Sequence, residues 1–461
     1  MNAKTVVPFL VLVLGGLAAI GAPGPVPPVA PGGPINSGDT AWMLTASALV
    51  LLMTPGLSFF YGGMVRTKNV ISTMMQSFIA MGVVTLVWVV VGFSLAFGDS
   101  VGGVIGDPRT FFMLRGVGGA THAVLSPTVP LAVFALFQLK FAIITPALVT
   151  GSFAERVRFS SYLLFIVLFT LLIYCPLAHW TWHPDGFLHK MGVLDFAGGT
   201  VVHMSAGIAA FAAAIVLGQR TDHHQVHAPA HIPYVLLGTG MLWFGWFGFN
   251  AGSALGANGI AAQAFLTTNT ASAAAMLAWL SVDYARGGKP TAMGACIGAV
   301  VGLVAITPAA GYVSVGSSIA IGTVAAVISN MAVHWKTRTS LDDTLDVFPC
   351  HGVGGIVGML LTGVLAQKAI NDGGADGLLY GGTELFRMHV LALGVVTLFV
   401  LGMSFALLRA IDLFSPLRVS QEQEAVGLDL SQHDETVVPA DLNLRMPGAR
   451  SVPIAATFLV G

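Results

Sequence analysis

The sequence predicts an all-α polytopic membrane protein: eleven transmembrane helices, arranged as two inverted five-helix repeats plus a final helix. Three observations carry this. Of 461 residues, 55% are hydrophobic and only 9% charged, whereas soluble domains carry roughly 25% charged residues. Between Asp39 and Asp412, eleven apolar segments are long enough, allowing for tilt, to cross a hydrocarbon core that takes about 20 residues. Basic residues then sort by loop. One face receives Arg66, Lys68, Arg156, Arg158, Arg220, Arg286, Lys289, Lys336, Arg338, Arg409 and Arg418; the other only Arg109, Arg115, Lys190, Lys368 and Arg387. Positive charge is retained on the cytoplasmic side, so the N-terminus is expected outside and the C-terminal tail inside.

Taken in order, residues 1–22 read as a signal peptide: Lys4, an apolar run from Val6 to Ile20, then the small residues Ala19 and Gly21 at cleavage-site spacing. Residues 23–38 are rich in proline, which lacks an amide donor, and read as an external linker. A transmembrane domain fills 39–413, with spans at 40–62, 70–97, 128–151, 160–179, 198–217, 232–254, 262–284, 291–308, 315–335, 347–367 and 388–412. Residues 414–461 form a cytoplasmic tail whose stretch QEQEAVGLDLSQHDET is too polar to order itself unless something binds it.

Several functions are excluded. A net charge of −1 without a basic stripe argues against nucleic acid. Cys175, Cys296 and Cys350 sit in apolar stretches without CxxC spacing, so neither a disulfide framework nor a zinc site is expected. The loop DHHQVHAPAH holds His223, His224, His227 and His231, but its prolines and lack of cysteine favour a solvated cytoplasmic loop over a metal site. No nucleophile–base pair and no cofactor motif emerge, so an enzyme is not expected.

Two stretches stand out, Asp195–Gly207 (DFAGGTVVHMSAG) and Asp346–Gly358 (DVFPCHGVGGIVG). Each places a histidine, His203 or His351, in a small, apolar segment, and ionisable groups at membrane depth usually mark a substrate path or proton relay. One such histidine alone is often a satisfied core residue. Here one falls in the fifth span and one in the tenth, and corresponding positions of inverted halves meet near the midplane. The two imidazoles are therefore expected to be neighbours, each able to donate and accept one hydrogen bond. Gly198, Gly199, Gly207, Gly352, Gly354, Gly355 and Gly358 let those helices approach closely.

Aromatic residues gather at the expected external ends: Phe137 and Phe141, Trp180 and Trp182, and Trp243–Phe249. Most such rings are packing or interface anchors, but their faces also attract ammonium-type ions. Ser253 supplies an acceptor, and Asp195 is expected to be a buried helix-start acceptor rather than a direct ligand. Lys140, beside Phe141, is expected to snorkel or meet a carbonyl, since a cation there would repel a cationic substrate.

Taken together, DTAWML, GLSFFYGGMVRTKNV, FQLKFAIITPAL, GSFAERVRF, LDFAGGTVVH, GWFGFNAGSA, GACIGAVVGLVAITPAAGYV and DVFPCHGVGG, in that order from Asp39 to Glu435, resemble ammonium transporters of the Amt/Mep/Rh group, in its bacterial Amt branch. The resemblance implies a homotrimer in the cell inner membrane, each protomer conducting through its own narrow pore, with ammonium or ammonia as substrate and methylammonium as analogue. It implies external recruitment by Trp182, Phe141 and Ser253, supported by Asp195. Phe141 and Phe249 would form a phenyl gate flanked by Gln138 and Trp246, with His203 and His351 lining the pore. The tail resembles a segment that meets P-II-type regulators. No metal or cofactor is implied, and the alternative function is an ammonium sensor with little flux. The PC before His351 and residues 439–461 depart from the family pattern.

Overall fold

The computed structural model describes residues 30–223 and 228–437. The expected signal peptide at 1–22, His224, His227 and residues 438–461 lie outside the described residues. Helices occupy the apolar segments: α1 Ser37–Met64, α2 Thr67–Phe97, α3 Leu131–Phe153, α4 Phe159–Lys190, α5 Gly199–Leu217, α6 Ile232–Gly252, α7 Gly259–Ala285, α8 Ala292–Ile306, α9 Val315–Lys336, α10 Phe348–Leu365 and α11 Thr383–Phe414. Among the described residues, nine are long and apolar enough to cross a membrane. The other two are α8, which has only 15 residues, and α7, whose middle carries Gln263, Thr267, Thr268 and Asn269. The chain is a multi-pass, mostly helical membrane protein.

Helix starts follow local chemistry. The side chains of Asn36, Asn258, Thr291 and Ser314 accept backbone N–H bonds at the starts of α1, α7, α8 and α9, satisfying donors that have no partner within the helix. The third span was expected from residue 128. It begins instead at Leu131, because Ser126–Pro130 is an extended strand bounded by prolines that cannot donate within a helix.

The packing echoes the expected repeat. The most extensive helix contact joins α1 to α6, the first helix of each half, while the π-helical starts of α5 and α10 meet in the centre. On the α2–α3 side, residues 98–130 form two hairpins, β1 Ser100–Val101 with β2 Ile105–Gly106, and β3 Thr121–His122 with β4 Ser126–Pro130. The end of the proline-rich segment lies along the second hairpin: Gly33 N donates to Pro127 O (3.0 Å) and Asn36 N to Thr128 O (2.8 Å).

At the other end, charged loops interlock. Glu155 pairs with Arg66 (2.8 Å) and Arg220 (2.7 Å), and Arg220 also pairs with Asp342 (2.9 Å). The tail folds back here as α12 Gln421–Val426 and α13 Leu428–His433. Asp429 accepts from the backbone N–H groups of Ser72 (2.7 Å) and Ile71 (3.1 Å), and Leu428 N donates to Asn69 Oδ1 (2.8 Å). The polar stretch is thus ordered by the chain's own body, through orphan donors at the start of α2.

Candidate functional site: two facing histidines

Asp195 builds the start of α5. One carboxylate oxygen accepts from the N–H groups of Gly198 (2.8 Å) and Gly199 (2.6 Å), the other from Thr200 N (2.7 Å) and Thr200 Oγ1 (2.5 Å). With four donors satisfied, the carboxylate is a structural acceptor. Its backbone oxygen takes the indole N–H of Trp182 (3.0 Å), tying that ring to the helix start. Gly198 holds φ at +116°, a conformation L side chains rarely adopt.

Both histidines ride on π-helical turns, Gly199–Met204 and Phe348–Val353. Such turns are rare and recur at functional sites. In the first, His203 N bonds back to Gly198 O (3.1 Å). The second turn packs closely on the helical segment that follows the first, because a glycine faces a glycine: a Cβ on Gly207 would stand 2.0 Å from Gly352 N.

From one end of the bundle, a vestibule of about 150 Å³ is lined by Gln138, Phe141, Trp182, Phe196, Ser253 and Leu125, among others. Trp182 meets Phe141 edge to face (centroids 5.7 Å apart), and Phe141 stacks on Phe249 at 4.1 Å and 29°. Both phenyl rings are buried, so the stack closes the floor of the vestibule. Ser253 Oγ donates to Phe249 O (2.9 Å), leaving its lone pairs available. Gln138 Oε1 is buried without a hydrogen-bond partner.

Beneath the phenyl stack lies a cavity of about 10 Å³, lined by Leu57, Val202, His203, Trp246, Phe249 and His351, among others. His203 stacks on Trp246 (5.2 Å, 19°), whose indole N–H is held by Thr307 Oγ1 (2.9 Å). The imidazoles of His203 and His351 face each other with Nδ1 to Nδ1 at 3.3 Å. Between two neutral rings one Nδ1 donates and the other accepts, so their Nε2 atoms have opposite character: one carries a proton, the other a lone pair. His203 Nε2 is buried and has no partner. On the far side of His351 a second narrow cavity is lined by Tyr61, Leu345 and Cys350.

Asp343, which the sequence reading does not single out, supports the start of the second histidine-bearing helix. It is fully buried, accepts from Phe348 N (2.7 Å), and stands eight residues before His351, as Asp195 does before His203. That repeated interval was the available signal. Burial pushes its carboxyl up to about 6, opposed by Lys336 and reinforced by Asp346.

Other singled-out residues lie apart. Trp180 donates to Val104 O (2.7 Å) and packs on Phe399, outside the vestibule. Trp246 sits beside His203 rather than at the external end expected for the Trp243–Phe249 run. Lys140 is buried on α3 and does not line the vestibule. His223 faces Asp342 at 3.3 Å, while His231 caps α6 through Tyr234 N. No cluster of three metal-ligating side chains occurs among the described residues.

The chain is similar to known proteins over most of its length. The Ammonium Transporter Family model matches residues 41–438. A putative ammonium transporter of Methanothermobacter thermautotrophicus is 48% identical over 405 residues, covering 87% of this chain and 98% of that protein. Candida albicans Mep2 superposes with a TM-score of 0.80 at 36% identity, covering 84% of this chain and 87% of that one. A structure described as a sensor Amt protein gives 0.77 at 30% identity, covering 86% and 98%. The chain belongs to the ammonium transporter family.

Proposed function

We propose that the protein recruits ammonium at its external face, deprotonates it near the phenyl gate, and conducts ammonia past His203 and His351. In this reading Trp182 and Phe141 offer ring faces to the cation, Ser253 accepts one of its N–H bonds, and Asp195 holds Trp182 in place. The observation that carries the proposal is the imidazole pair, 3.3 Å apart directly below a closed phenyl stack in a narrow apolar passage. A cation there would lose its hydration, at a cost from about 2.5 to more than 10 kcal/mol at mid-bilayer. Ammonia avoids most of that cost. The histidines replace lost water contacts and relay the proton separately, so charge moves with the substrate.

The same reading places eleven crossings in the cell inner membrane with the N-terminus outside, in a homotrimer whose tail face meets a P-II-type regulator. A pulse of ammonium on reconstituted protein is expected to evoke a selective current. A folded double variant, His203→Ala with His351→Ala, should lose the current or its selectivity; an unchanged selective current would refute the role. One neighbour's description as a sensor favours a second reading, ammonium binding with little flux. Current and labelled methylammonium uptake measured in the same liposomes separate the two.

A further inference from the structure

The tip of the second external hairpin forms part of the vestibule wall. Leu125 and Val124 line the same cavity as Trp182, Phe141 and Ser253. Leu125 is 6% exposed, and so turned inward, while Val124 is 58% exposed at the mouth. The tip is pinned rather than loose. His122 Nδ1 accepts the N–H groups of both Val124 (3.2 Å) and Leu125 (3.1 Å), and Ser126 Oγ accepts His122 N (3.2 Å). Ala123 N donates to Ala30 O (3.0 Å), and the His122 ring lies against Phe111. Leu255 joins the same wall, its backbone held at a left-handed φ of +54° that a leucine rarely adopts.

The recruitment rings and Ser253 are thus faced by fixed aliphatic side chains. An ion bound among them presents N–H bonds to a few acceptors and any alkyl substituent to this wall. We infer that Leu125, positioned by His122, sets the size limit for primary alkylammonium ions at the external site. The inference deepens the recruitment reading above and rests on it. A single methylene is worth roughly ten-fold or more against a fitted apolar wall, so a wall rather than a further charge is what separates methylammonium from longer homologues. Removing Leu125 leaves the rings and Ser253 in place and opens space only above them.

The test uses the full chain in liposomes, with methyl-, ethyl- and propylammonium competing against ammonium-evoked current. Wild-type protein is expected to lose affinity steeply with chain length. Leu125→Ala should bring ethyl- and propylammonium at least ten-fold closer to methylammonium, Leu125→Trp should do the opposite, and His122→Ala should shift the series in the direction of Leu125→Ala. An unchanged series in variants that keep the ammonium current overturns the inference. A wild-type protein without ammonium current or uptake would refute the transport reading instead. In that case calorimetric binding of the same three ions to wild type and Leu125→Ala decides the matter, identical affinity ratios again overturning it.

Discussion

Asp195 and Asp343 cap the two histidine-bearing helices, each eight residues ahead of the histidine its helix carries. The helices enter from opposite ends: α5 starts beside Trp182, near the first half of α3, whereas the loop before α10 bonds to Gly151 and Ser152 at the end of α3. The imidazoles therefore meet in the middle while their acidic supports stand far apart.

The two carboxylates differ in neighbours, and Asp343 should carry a pH signature. Its pKa is raised from 3.8 to about 6 by burial. A carboxyl raised in the fold contributes stability that is complete below the unfolded value and is lost as pH rises through the folded one. Thermal unfolding in detergent should show wild type gaining about 2–3 kcal/mol between roughly pH 7 and pH 4 from this group. In Asp343→Asn that part of the slope should vanish; a slope that persists would discount the assignment.

Glu155 should behave in the opposite sense. Against the cost of its burial, Arg220 and Arg66 hold its carboxyl down at about 2, from 4.5. Its stabilisation is present above 4.5 and is lost as pH falls toward 2. Glu155→Gln is expected to lower stability by about 3 kcal/mol at neutral pH, because two guanidinium groups lose their carboxylate. It should also flatten the acid limb of the unfolding curve. Equal acid sensitivity in both proteins would contradict this.

Replacing Asp195 by Asn leaves one good acceptor where two oxygens now serve four donors, and turns an NH2 group toward some of them. The expected cost is about 1–3 kcal/mol, together with drift of Trp182. Methylammonium uptake should fall roughly ten-fold or more, since small misplacements of a positioning group are expensive. Full uptake by folded Asp195→Asn would show that the cap does not govern recruitment.

Gly207→Ala tests the close helix approach. The added Cβ would collide with Gly352 N at 2.0 Å, and the neighbour is backbone, which cannot swing away. Overpacking of this kind costs about 1–3 kcal/mol or more. Lower thermal stability is expected, with loss of current where the variant folds. Gly402→Ala serves as the control, because a Cβ there meets nothing within 4 Å.

Asp429→Ala should release the tail. The side chain serves the N–H groups of Ile71 and Ser72, and losing such a cap costs about 1 kcal/mol. Limited proteolysis between α11 and α13 should accelerate several-fold while the membrane helices stay protected. Unchanged cleavage would mean that the bonds from Leu428 N to Asn69 Oδ1 and from Lys68 Nζ to Glu424 O (3.1 Å) hold the tail without it.

Much of this protein was legible in one dimension. The helical ranges follow from apolar length, and His203 and His351 stand out as an imidazole pair at matching places in two apolar segments; Phe141, Phe249, Trp182 and Ser253 have ordinary packing or interface readings in the sequence, and only the resemblance singles them out. Asp343 was missed although its eight-residue interval repeats that of Asp195, because the neighbouring Asp346 was read as the start of the stretch. Trp180 and Trp182 were indistinguishable by type and spacing; only the side chains packed against each, Phe399 for one and Phe141 for the other, separate a packing ring from a vestibule ring.

What the sequence by itself determined is local: which segments are apolar enough to be helical at membrane depth, and which residues in them are chemically out of place. Such properties depend on neighbours a few positions away. Tertiary structure decided the 3.3 Å approach of two imidazoles 148 residues apart, the hairpin wall over the vestibule, and the tail folded onto α2. Each depends on contacts between remote segments, through glycine-to-glycine packing and orphan backbone donors whose partners no local pattern names.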